Sequence, residues 1–312
     1  MKARIPNNHN YSFLINEKSI EHSMQIMHST WNELRTEIAQ KKFKYNDTDS
    51  ALKVTFLKQF NDWFQNIGKK EMSISFQNYF KNIVAGRGTI IESSEPATKP
   101  LYDRFIPKSE FIKDDNRFSP SGVEWLYLAV GKSEDLIIEC AEKERRVKKG
   151  ERFGFCNFKL NETYNDLRIV DLTIADNMSY DDINNMLRTL YDKKYNKAAK
   201  AVSRYGYTLY GRYQCKQICG DEDTKEEFTK WLLYMYAKMM SENLFVPIET
   251  DDKKLEYAPF QTLATYFQKE GFDGIVYSST VCPSAKNIVL FDKIYANPYG
   301  EVRDYIVSSS NE

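Results

Sequence analysis

The chain has 312 residues, with 44 Lys plus Arg against 44 Asp plus Glu, 42% hydrophobic and 14% aromatic side chains. That length exceeds the usual size of one core and the apolar content excludes a disordered chain, so two domains, or one large domain with an appendage, are expected. Balanced charge excludes an overall field toward nucleic acid or an anionic membrane. The longest apolar runs, Trp125 to Val130 and Ile288 to Phe291, are far too short to cross a bilayer. With a polar N-terminus and no signal-peptide core, the expectation is a cytoplasmic protein.

The cysteines, Cys140, Cys156, Cys215, Cys219 and Cys282, are odd in number and scattered, which suits reduced thiols better than a disulfide framework. Cys215 and Cys219 have no nearby histidine or further cysteine to complete a zinc site, so no metal is expected. His9, His22 and His28 all fall in the first thirty residues, so chemistry in the remainder must proceed without imidazole.

In chain order, Ile20, Met24, Met27, Trp31, Leu34 and Ile38 recur in steps of four and three, which predicts an amphipathic helix. A second helix is predicted from Asp49 or Ser50 as N-cap, through Leu52, Phe56, Phe60, Trp63 and Ile67, to a stop at Gly68. Met and aromatic residues at this spacing are ordinary core material. The charged, proline-bearing run at 92–100 marks a boundary. A helical accessory domain is therefore expected over 1–98 and a mixed α and β domain over 99–312, with a helical insert at about 178–250.

Strands are predicted at Trp125–Val130, Phe153–Leu160, Arg168–Leu172, Gly274–Tyr277 and Ile288–Phe291. Ser133 is the expected N-cap of a helix carrying Ile137, Ile138 and Cys140, and a further helix is predicted over 226–243. Gly86-Arg87-Gly88 does not follow a recognisable strand, so it is not read as a dinucleotide-binding loop. If the chain binds a dinucleotide, side chains must hold its phosphates.

Two stretches carry the functional signal. One runs from Arg117 through the Ser119-Pro120-Ser121-Gly122 turn and Tyr127-Leu128-Ala129 to Glu139; the other is Asp273-Gly274-Ile275-Val276-Tyr277-Ser278-Ser279 followed by Asn287-Ile288-Val289-Leu290-Phe291. They resemble the RES family, named for an arginine, a glutamate and a serine. That resemblance implies an α+β fold with an ADP-ribosyltransferase-like split β-sheet. It also implies degradation of NAD, typically by a bacterial toxin or defence effector neutralised by an antitoxin.

Carried over by motif, Arg117, Glu139 and Ser279 take catalytic positions, and Tyr127 and Arg104 contact the substrate. NAD is then a substrate, and no cofactor is implied. Arginine forks can hold the two phosphates, and a carboxylate beside the ribose favours the oxocarbenium-like transition state. The acceptor is left open among water, phosphate and a protein side chain, giving a glycohydrolase, a phosphorylase or an ADP-ribosyltransferase. The helical leader offers a surface for an antitoxin or regulatory protein.

An alternative class arises from 193–217, where Lys193, Lys194, Lys197, Lys200, Arg204, Arg212 and Lys216 are interleaved with tyrosines. Such a segment suits a nucleic-acid- or partner-binding role without catalysis, although a solvated face is the commoner explanation.

Overall fold

A computed structural model describes residues 17–96, 98, 100–164, 166–205, 222–245 and 252–308. The fold is α+β: a helical N-terminal region is followed by, and partly woven into, a mixed eight-stranded sheet.

Helix α1 spans Glu17–Ala39 and buries Met27, Trp31 and Leu34, three positions of the predicted stripe. The second predicted helix is broken into α2 (Thr48–Ala51), α3 (Thr55–Trp63), a π-helical turn (Phe64–Gly68) and α4 (Lys69–Glu71). Its N-cap is Asp47, whose carboxylate accepts from Ser50 N at 3.1 Å. Gly68 does not stop the helix: it keeps right-handed helical geometry at φ −56°, and a Cβ there would lie 2.7 Å from Phe64 Cδ2. The glycine is required by ring packing rather than by a turn. A short helix, α5 (Phe76–Phe80), completes the region.

The strands are β1 (Ser73–Ser75), β2 (Val84–Ile91), β3 (Leu126–Gly131), β4 (Arg152–Leu160), β5 (Arg168–Asp171), β6 (Gly274–Ser278), β7 (Lys286–Leu290) and β8 (Ala296–Ile306). Their order is β1-β5-β6-β7-β3-β2-β4-β8, and only the β5–β6 pair is parallel. Alternation sorts β3 between two cores: Leu126, Leu128 and Val130 enter one. Ala129 enters the other, with Ile137, Cys140 and Ala141 of α6 (Glu134–Arg145). Ser133 caps α6 as expected, accepting from Leu136 N.

Two strands precede residue 98, so the boundary expected there falls after β1 and the central strand β2 have already joined the sheet. Strand β2 escapes a pattern reading because its glycines depress strand propensity. Tertiary packing demands them, since a Cβ at Gly86 would come within 2.1 Å of Phe155 Cζ, and one at Gly88 within 2.1 Å of Phe153 Cζ.

By compactness the chain divides into one unit of residues 1–28 and 174–240 and another of 29–173 and 241–312. The first contains α7 (Tyr180–Tyr205) and most of α8 (Glu222–Asn243), where Trp231 Nε1 donates to Asn184 Oδ1 at 3.2 Å. The second contains the sheet, α6 and α9 (Lys253–Lys269). No described helix is long and apolar enough to cross a membrane.

Candidate functional site

The sheet makes its own cleft. Strand β2 is paired with β4 along its whole described ladder, from Ala85 to Ile91, but with β3 only from Val84 to Gly86. Beyond the Gly86↔Ala129 pair the two strands part. The gap is lined by Gly86, Arg87 and Gly88 from β2 and by Tyr127, Leu128 and Ala129 from β3. The cleft holds about 360 Å³ and is closed on other sides by the 107–117 loop, the last turn of α6, Tyr257, Tyr277 and Asn287. This is within the ~300–1,000 Å³ usual for small-molecule sites.

The 112–122 loop is fixed by its own backbone: Gly122 N donates to Ile112 O and Asn116 N to Ser119 O, each at 2.8 Å. Gly122 has φ +79°, a left-handed conformation that a side chain would strain. Phe118 anchors the loop, fully buried against Tyr277 with ring centroids 4.9 Å apart. Arg117 is thereby held at the cleft wall, its guanidinium 5.4 Å from the centre of the Phe260 ring. The Tyr127 hydroxyl shares a 2.9 Å hydrogen bond with Ser119 Oγ, and burial pushes the Tyr127 phenol well above its ordinary pKa. It is a neutral hydroxyl at any physiological pH.

Arg117 and Tyr127 therefore line one cavity, as the motif implies. Glu139 does not. Its carboxylate pairs with Lys143 at 2.7 Å on the outer face of α6, with 45% of its side chain exposed. Glu144, five residues on and so turned by roughly 140° around the helix, lies on the cleft wall.

Glu144 Oε1 accepts from Ser279 Oγ at 2.8 Å and from Asn287 Nδ2 at 2.5 Å. Cys282 N donates to Ser279 Oγ at 3.0 Å, so the serine oxygen is already an acceptor and its single proton is directed to Glu144. Ser279 thus stands behind the wall and acts on the cleft through Glu144. Both donors meet the same oxygen, leaving Glu144 Oε2 without a hydrogen bond among the described residues. Behind them Cys140 is buried, and desolvation raises its thiol to about 12, so it is an inert packing group.

Arg87 is the residue that sequence reading passed over. It lines the cleft, and its Nη1 is buried without a hydrogen-bond partner. Desolvation, then the nearby charges of Arg145 and Arg104, lowers its pKa to about 10. It stays cationic near neutrality, in a place that favours an anion. The only local signal for it is an arginine between two glycines, which becomes informative once the opposing Phe153 and Phe155 are known.

Arg104 lines a neighbouring cleft and is committed to Glu95 through two hydrogen bonds of 2.9 and 3.0 Å. Among the described residues no cluster of three or more His, Cys, Asp or Glu is arranged to hold a metal. In the 193–217 segment, Lys193, Lys197 and Lys200 are exposed along α7. Residues 206–217 lie outside the described residues.

No curated protein matches the chain. The crystal structure of the M. tuberculosis MbcT-MbcA toxin-antitoxin complex covers 72% of this chain and 84% of its own, at 10% identity and a TM-score of 0.29. That likeness is too low to bear on the fold or the site. The RES domain model matches residues 237–306, a span that includes Tyr277, Ser279 and Asn287 but not Arg117, Tyr127 or α6. The resemblance read from Asp273 to Phe291 falls inside that match, so this part of the chain is similar to the RES domain.

Proposed function

We propose that the chain is an NAD-consuming enzyme that cleaves the nicotinamide–ribose bond in the cleft between β2 and β3. The observation that carries this reading is the asymmetric anchoring of Glu144, with one carboxylate oxygen fixed by Ser279 and Asn287 and the other free beside the cavity.

Loss of nicotinamide leaves positive charge on the ribose ring, so a carboxylate already held in place stabilises the transition state more than the ground state. Glu144 takes this role in place of Glu139, and Ser279 positions it. Nicotinamide departs as a neutral amide and requires no proton at the ring nitrogen, which fits a cleft whose phenols, Tyr127 and Tyr277, are held neutral by burial. Tyr127 offers a hydroxyl and an aromatic face to the nicotinamide end. Arg87 and Arg117 supply positive charge for the diphosphate, by charge-assisted hydrogen bonds that need no glycine-rich loop. NAD is the substrate in this account, and no further cofactor is invoked.

The acceptor is water, inorganic phosphate or a protein side chain. Within the RES family's toxin setting, the reading extends to a cytoplasmic toxin or defence effector of bacterial origin, restrained by an antitoxin partner. The test is to incubate the purified protein with NAD, with and without phosphate, and identify products by mass spectrometry. Nicotinamide release is expected, with free ADP-ribose, its phosphate ester or an ADP-ribosylated protein naming the acceptor. Glu144→Gln should lower that release about 100- to 1,000-fold. Absence of nicotinamide release from the parent protein under all these conditions would overturn the reading.

A further inference from the structure

The cleft beside β3 is not alone. A second one, of about 680 Å³, continues from it past Arg87, Gly88 and Arg145, which line both. Most charges in the second cleft are already spent on one another: Arg104 is bonded to Glu95 and Lys108 to Asp103. Lys113 adds a positive charge to the second cleft, and Asp114, which like Arg87 and Arg145 lines both clefts, adds one negative charge at the junction. The Arg87 and Arg145 side chains have neither an ion pair nor a hydrogen bond among the described residues, so two guanidinium groups against one carboxylate leave net positive charge at the junction of the two clefts. Beyond that junction the wall turns apolar. Phe111 is 70% exposed and Leu101 79% exposed, although both line a concave surface. A bare phenyl ring beside unpaired guanidinium groups offers a stacking face next to an anion site.

We propose that the second cleft is a nucleoside diphosphate site, in which Arg145 joins Arg87 and Arg117 in binding the phosphates at the junction and the base stacks on Phe111. This rests on the NAD reading for its direction: the nicotinamide end lies by Glu144, the diphosphate at the junction and the adenosine end in the second cleft. The recognition of the base is by apolar contact, so purines other than adenine are also accepted.

The experiment uses the full chain and ADP, which has no nicotinamide and so tests this site apart from the cleavage reaction. Isothermal titration calorimetry should show ADP binding, with GDP within about tenfold of it, since stacking tolerates any base. Phe111→Ala should weaken ADP about tenfold, and Phe111→Trp should restore it, because stacking depends on an aromatic face. Circular dichroism melting confirms that each variant is folded, as expected for an exposed ring. Two results would overturn the proposal: no ADP binding at millimolar concentration, or binding that Phe111→Ala leaves unaltered. If ADP binds in a Phe111-dependent way while NAD stays intact, the nucleotide site stands and the cleavage reading fails. If NAD is cleaved while ADP binding ignores Phe111, the cleavage reading stands and the nucleotide site fails.

Discussion

The aromatic stack under α3 and the cleft between β2 and β3 belong to the same compact unit and are built on opposite principles. In the stack, Phe60 is wholly buried and its ring meets Phe56, Trp63, Phe64, Tyr266 and Phe267. Ring packs on ring there, and the polar edge of Tyr266 is satisfied, its hydroxyl donating to Asn61 Oδ1 at 2.8 Å. In the cleft, Arg87 Nη1 is buried without a partner and Glu144 has an unused oxygen. Buried polar groups are normally satisfied, so a pair of opposite charges held apart and unfilled marks a place prepared for something else. One region satisfies its polar groups within the fold, and the other leaves charged groups unsatisfied among the described residues.

Substitutions can break that contrast. The largest effect is expected for Phe60→Ala, which should cost about 3–5 kcal/mol of unfolding free energy in urea titration. A loss below about 1 kcal/mol, the scale of an ordinary surface change, would show that the stack is not the stabilising region. Glu144→Gln should do the opposite, lowering nicotinamide release about 100- to 1,000-fold while the denaturation midpoint stays within the small range of surface changes. Gly88→Ala tests the packing that backs the cleft: its new methyl meets Phe153 Cζ at 2.1 Å and Ala141 Cβ at 3.1 Å. Overpacking of that kind should cost about 1–3 kcal/mol in thermal or urea denaturation, and a fully stable variant would mean that β2 can shift freely. The smallest effect is expected at Glu139→Gln, which removes an exposed pair with Lys143 worth at most about 1 kcal/mol. Nicotinamide release should be unaltered there, and a loss as large as that of Glu144→Gln would return the carboxylate role to Glu139.

Much of the fold was legible from local pattern. The alternation in Phe153–Leu160 and the cap at Ser133 predict β4 and α6 to within a residue or two, because side-chain periodicity and backbone capping are properties of neighbours in the chain. The π-helical turn at Phe64–Gly68 was not legible, since Gly68 reads locally as a stop and only the rings of Trp63 and Phe64 show why it continues. Strand β8 was missed as well: Pro298 and Gly300 speak against a strand, and both are tolerated on an edge strand that has a partner on one side only.

By itself, the sequence determined the α+β class, the bounds of β3 to β7 to within about two residues, the RES resemblance and the expectation that Arg117 and Tyr127 share one site. Only the tertiary structure decided which carboxylate of α6 faces that cavity, because a helix presents Glu139 and Glu144 on different sides and the sheet chooses between them. It also decided that Gly86-Arg87-Gly88 is a central strand. Two distant phenylalanines require those glycines, and the parting of β2 from β3 leaves Arg87 a cleft to line.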